Sequence, residues 1–179
     1  RRLGPDHLDT IEAAENLGTC YSYSGNDEMG LPLLEEMLRL KKAKLGEDHP
    51  DTLKSMSMLA YRYWTTKSLD LAEQTFEHVL NLIEAKLGPD HPDTLGSMSD
   101  LARIYQETGK LDAALSLFEQ SVQGMEKLNF AHGYQWRVVA FAIEGYEKAN
   151  LLDLAISWQR RWVEHIQNKA GTDSKDYVY

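Results

Sequence analysis

Leu45-Gly46-Glu47-Asp48-His49-Pro50-Asp51-Thr52 decides the fold, because it comes back. It returns with one change as Leu87-Gly88-Pro89-Asp90-His91-Pro92-Asp93-Thr94, and it is preceded by Leu3-Gly4-Pro5-Asp6-His7-Leu8-Asp9-Thr10. The copies stand 42 residues apart. A fixed period of that size marks an array of stacked supersecondary units, each too small to bury its own apolar face. Pro is tolerated in a first helical turn, and Asp there meets the positive end of the helix dipole. Gly after an apolar run ends a helix in the left-handed conformation. Each copy therefore reads as a joint that closes one helix and opens the next.

Working outward, each unit reads as two helices. After the second joint, Leu53, Met56, Leu59, Ala60 and Tyr63 recur at helical spacing. Thr65–Ser68 is a turn, and Leu69, Ala72, Phe76, Val79, Leu80 and Ile83 make one face of a second helix. The third unit keeps the register through Leu95, Met98, Leu101, Ala102 and Tyr105, then Leu111, Ala114, Leu117, Phe118 and Val122. In the first unit, Leu17, Gly18 and Tyr21 match Leu59, Ala60 and Tyr63. Its turn is longer, Ser24 to Gly30, and Pro32 places the start of its second helix near Leu31. The fourth unit diverges most: Leu128-Asn129-Phe130-Ala131-His132 replaces the joint, while Tyr146, Asn150, Leu152 and Ala155 keep a register shifted by 41. Ala170–Asp173 and Asp176 look like a worn further joint. The expected organisation is one array of repeats at about 8–45, 50–87, 92–128 and 133–170, with part of another at 172–179. The chain opens with Arg1-Arg2 and no Met, so an excised fragment is expected.

Bulk properties remove several functions. The net charge of −9 argues against nucleic acid, whose binding rests on Lys and Arg neutralising phosphates. It argues equally against an anionic membrane surface. No apolar run is long enough to span a bilayer. The one cysteine, Cys20, excludes an internal disulfide and a thiolate metal cage, and it fits a reducing cytoplasm.

Leu59-Ala60-x-x-Tyr63, the turn, Leu69, Ala72 and Phe76 resemble a tetratricopeptide repeat. The 42-residue period and the Leu-Gly-x-Asp-His-Pro-Asp-Thr joint are similar to the longer-helix form of kinesin light chains and of bacterial arrays, including those attached to Ser/Thr kinases. The resemblance implies an all-α right-handed superhelix of about four antiparallel helix pairs. It implies a concave groove, lined mainly by each unit's first helix, that binds a protein or peptide without catalysis. By the repeat register that lining includes Glu12, Glu15, Asn16, Thr19 and Tyr23. It continues with Lys54, Ser57, Met58, Tyr61 and Trp64, then Ser99, Asp100, Arg103, Gln106 and Glu107, and Arg137, Phe141 and Glu144. Related arrays carry Asn-Asn before the Leu-Ala pair to grip peptide backbone and carboxylate. Here Asn16 keeps one, and Met58 and Asp100 replace it, which argues against such a grip. Trp64 with Tyr61 is either a binding anchor or a packing contact with the next unit. Arg103 pairs either with an acidic ligand group or with a groove neighbour such as Glu144 or Asp100.

No residue set announces chemistry or a cofactor. His7, His49, His91 and His132 invite a metal reading, but zinc needs imidazoles about 2.0–2.1 Å from one ion, and stacked joints stand roughly 10 Å or more apart. They read as helix-entry residues, and His78 and His165 as isolated structural ones. Cys20 reads as a small packed hydrophobe, and Glu35-Glu36 as solvated charge. There is no phosphate loop and no nucleophile elbow. A spacer or self-association region of a larger protein, such as a bacterial Ser/Thr kinase, is the alternative to the binding array.

Overall fold

The computed structural model describes residues 3–130 and 135–172. Among them run eight helices and no strand: α1 (Leu8–Tyr23), α2 (Asp27–Leu45), α3 (Pro50–Thr65), α4 (Leu69–Leu87), α5 (Pro92–Glu107), α6 (Leu111–Lys127), α7 (Gln135–Lys148) and α8 (Leu152–Thr172). The fold is an all-α helical repeat. The chain divides into two compact units, Arg1–Gly88 and Pro89–Tyr179.

The joints begin helices by a device that spacing alone did not reveal. His7, His49 and His91 are the N-cap residues, and each imidazole Nδ1 accepts the backbone N–H two residues on, at 3.1 to 3.2 Å. One orphan donor of the first turn is thereby satisfied. Pro50 and Pro92 follow as the first helical residues, where no N–H is needed. His132 lies outside the described residues. Gly46 and Gly88 do take positive φ, 91° and 87°, but with ψ of 161° and 165°. That is not the left-handed helical well expected. It is an extended region essentially reserved for glycine, and it swings the chain straight into the next cap.

In the first unit α1 pairs with α2, α3 with α4, and α2 packs on α3. The stripe Leu53, Met56, Leu59 and Ala60 of α3 is buried against Leu34, Met37 and Leu38 of α2 and Ala72, Phe76 and Val79 of α4. Each large apolar side chain so buried contributes about 1.5–3 kcal/mol. The second helix does not wait for Leu31. It starts at Asp27, and Pro32 sits inside it. The lost hydrogen bond would have gone to the carbonyl of Glu28, which lies in the exposed first turns. Gly30 explains the early start. It lies so close to α1 that a Cβ there would stand 2.8 Å from the Gly18 carbonyl oxygen, so the first turn is clamped by backbone packing.

Two apolar expectations for α1 fail for one reason. Leu17 is 48% exposed although its counterpart Leu59 is 4% exposed, and Cys20 is exposed rather than packed. Leu59 meets α2 of the preceding repeat; α1 has no such neighbour among the described residues.

In the second unit α5 pairs with α6, α7 with α8, and α7 packs on both α5 and α6. Phe118 and Tyr146 meet edge to face at 6.4 Å in this core. Asn129 and Phe130 replace the joint glycine with positive φ of 52° and 47°. The strain at Phe130 is offset by its burial against Trp162 and His165, ring centroids 5.2 and 4.9 Å away. His165 is thus half-buried in a ring cluster, stacked on Trp162, not isolated. His78 is not isolated either: its Nε2 lies 2.9 Å from Glu47, which also binds Lys42. α8 continues to Thr172, so Ala170–Thr172 extend a helix instead of opening a joint, and residues 173–179 lie outside the described residues.

Candidate functional site

The predicted lining residues fall into two sets, one in each unit. In the first, α1 and α3 bring Thr19 to Met58: the Thr19 hydroxyl donates to the Glu15 carbonyl at 2.9 Å and reaches the Met58 sulfur at 3.4 Å. Asn16 and Lys54 are exposed, and Ser57 is half-buried with its hydroxyl bonded back to Leu53. Tyr61 is 44% exposed. It meets Trp64 edge to face, centroids 5.5 Å apart. The pair is amphipathic and part desolvated, as binding anchors are.

In the second unit α5 and α7 bring Asp100, Arg103, Arg137 and Phe141 together. Arg137 lies 3.3 Å from the Asp100 carboxylate, and the Arg103 guanidinium lies over the Phe141 ring at 4.0 Å. Burial raises the Asp100 carboxyl above its ordinary value, while Arg137 and Arg103 pull it back. Gln106 donates to the Gly145 carbonyl at 3.1 Å, so it ties α5 to α7. Glu144 pairs with Lys148 on its own helix.

Two residues expected in the lining are not there. Ser99 is 1% exposed, because the packing of α7 on α5 widens the buried face of α5. Glu15 is buried too, on the Ile11–Glu15–Gly18–Ser22 stripe that faces α2. It accepts from Lys41 at 2.6 Å, and Lys41 also donates to Ser55 at 2.8 Å. This ion pair joins α1, α2 and α3. The signal for it was in the sequence: Lys41 stands at the register position of Ile83 and Met125.

Arg62 was also missed. It sits in the last turn of α3, 6% exposed, with its guanidinium stacked on the Tyr23 ring at 3.9 Å. Its counterpart one repeat on is Ile104, fully buried. Elsewhere in the first unit, Leu38, Met56, Leu59, Tyr63, Thr75 and His78 line a surface cleft of about 510 Å³. The Tyr63 hydroxyl there donates to Glu35 at 2.6 Å, and burial with that bond raises its pKa. No group of three His, Cys, Asp or Glu among the described residues could hold a metal ion. No helix among them is long and apolar enough to cross a membrane.

Two family profiles, both described as tetratricopeptide repeat, match residues 10–51 and 63–127. Together they span more than half of the chain. Comparison with curated proteins finds no match. Among solved structures, the chain is similar to a protein of Podosopora anserina described as a kinesin light chain with nearly identical TPR-like repeats. The identity is 24% and the TM-score 0.67, over 96% of this chain and 79% of that one. BtubC (BKLC) from P. vanneervenii aligns at 15% identity and TM-score 0.74, over 100% of this chain and 69% of that one. The MamA protein aligns at 16% identity and TM-score 0.63, over 98% and 81%. At these identities the likeness is one of fold.

Proposed function

Because the chain belongs to the tetratricopeptide-repeat family, we propose that it is a non-catalytic scaffold that holds a peptide or partner protein against the first helices of its repeats. The observation that carries this reading is the Tyr61–Trp64 pair, half-exposed and edge to face on α3. The same reading assigns Asn16, Thr19, Lys54, Ser57 and Met58 to the lining, and Thr19 and Met58 do meet. Asp100, Arg103, Gln106 and Arg137 give the second unit a mixed-charge counterpart. Side chains already held by such contacts lose little freedom on binding, which keeps the entropic cost low. The net charge of −9 supports a protein or peptide partner over nucleic acid or an anionic membrane, and the reading includes a cytoplasmic location and no cofactor.

Calorimetric titration with a randomised peptide pool tests it. Trp64→Ala is expected to cost about 2 kcal/mol or more of binding, as central aromatic anchors do. Unchanged affinity in that variant contradicts the reading.

One observation favours a second role. Leu152, Ile156 and Val163 leave an apolar row on α8 that is 45% or more exposed. Such a row suits self-association or a spacer within a longer chain, for instance behind a kinase domain. Light scattering separates the two: mass that rises with concentration supports the second, and a constant monomer that still binds peptide supports the first.

A further inference from the structure

Among the described residues, Arg62 is a buried cation without a counter-ion. It is 6% exposed, and no acidic side chain among the described residues pairs with it. Its Nε is fully covered and donates to no acceptor. Tyr23 covers one face of the guanidinium at 3.9 Å, and the Tyr61 ring lies 5.9 Å away. The last turn of α3 offers a partly negative helix end, yet its carbonyls do not accept from the side chain: the Arg62 carbonyl is taken by Thr65 and Thr66. Buried charges are otherwise paired, because desolvation without a partner is costly. The following repeat places Ile104 here, so the helical packing does not require a charge.

From this we infer that Arg62 is a carboxylate subsite, which takes a Glu or Asp side chain of the bound peptide. The guanidinium edge offers N–H donors in a planar fork that matches a carboxylate. Tyr23 holds the plane of that fork by stacking, and Tyr61 stands beside it. The carboxylate accepts from the terminal N–H groups at that edge and supplies the missing charge; the covered Nε is out of its reach. The inference rests on the groove reading above and adds the chemistry of one ligand position.

Two fluorescent dodecapeptide pools test it. Both exclude Asp and Glu from their randomised positions; one fixes Glu at the centre, the other Gln. Wild type is expected to bind the Glu pool about ten- to hundredfold more tightly, the range of a charge-assisted hydrogen bond. Arg62→Met is expected to erase that preference and to melt at or above the wild-type temperature, since an apolar side chain replaces an unpaired charge. Tyr23→Ala, at an exposed position, should reduce the preference about three- to tenfold through the lost stack. It decides the matter if Arg62→Met does not fold: an unchanged preference in Tyr23→Ala overturns the subsite. Equal binding of both pools by wild type, or a Glu preference that survives Arg62→Met, overturns the subsite and leaves the groove reading standing. Binding of neither pool removes both.

Discussion

Lys41 on α2 and Met125 on α6 hold the same register position two repeats apart, and they solve the same packing problem with opposite chemistry. Met125 is fully buried among apolar neighbours. Lys41 is buried too but carries a charge, and it survives there by closing a 2.6 Å ion pair with Glu15 and a hydrogen bond to Ser55. The repeat pattern therefore specifies that the position is inside, not how the inside is satisfied. Arg62 and Ile104 repeat the lesson on the first helices, with the difference that Arg62 has an aromatic face, Tyr23, but no acidic partner among the described residues.

The largest expected effect breaks the charged solution. Lys41→Ala strands the buried Glu15 carboxylate and should cost about 3–5 kcal/mol, whereas Lys41→Ile with Glu15→Leu should be neutral or stabilising. Urea unfolding curves decide it. A single-variant loss under about 1 kcal/mol would mean that the pair is solvated and the comparison with Met125 empty.

A smaller effect sharpens the comparison by asking what the two units share. His49→Ala and His91→Ala remove the same cap from α3 and α5, and each should cost about 1 kcal/mol. Melting temperatures should fall alike; a loss confined to one variant would separate the two joints.

The smallest effect is electrostatic. Lys42 and His78 hold the Glu47 carboxyl down at about 2. A carboxyl lower in the folded than in the unfolded chain adds stability that is complete above its ordinary value of 4.5 and is lost as pH falls towards about 2. Glu47 is 45% exposed, so the contribution is slight and salt-screened. Acid titration of Glu47→Gln against wild type should show a shallower loss of stability over that window.

The joint was legible because glycine, proline and a capping residue at fixed offsets leave the backbone few choices. The helix pairs followed from apolar spacing. The start of α2 was not legible, since the Gly18–Gly30 contact that outweighs Pro32 links residues on different helices. In the lining, spacing brought Thr19 to Met58 and Asp100 to Arg137. It misplaced Ser99, because α5, packed by α6 and α7, buries a wider face than one stripe, and Glu15, which lies on the α1 stripe facing α2. Arg62 passed unseen for the converse reason: a charged residue at a buried register position looks like surface until its neighbours are placed.

Hydrogen–deuterium exchange with and without a bound peptide from the Glu pool tests the central claim most directly. The account predicts new protection concentrated in the last turn of α3, around 61–66. Protection that falls instead on α2 and α4, along the cleft lined by Leu38, Thr75 and His78, would contradict it.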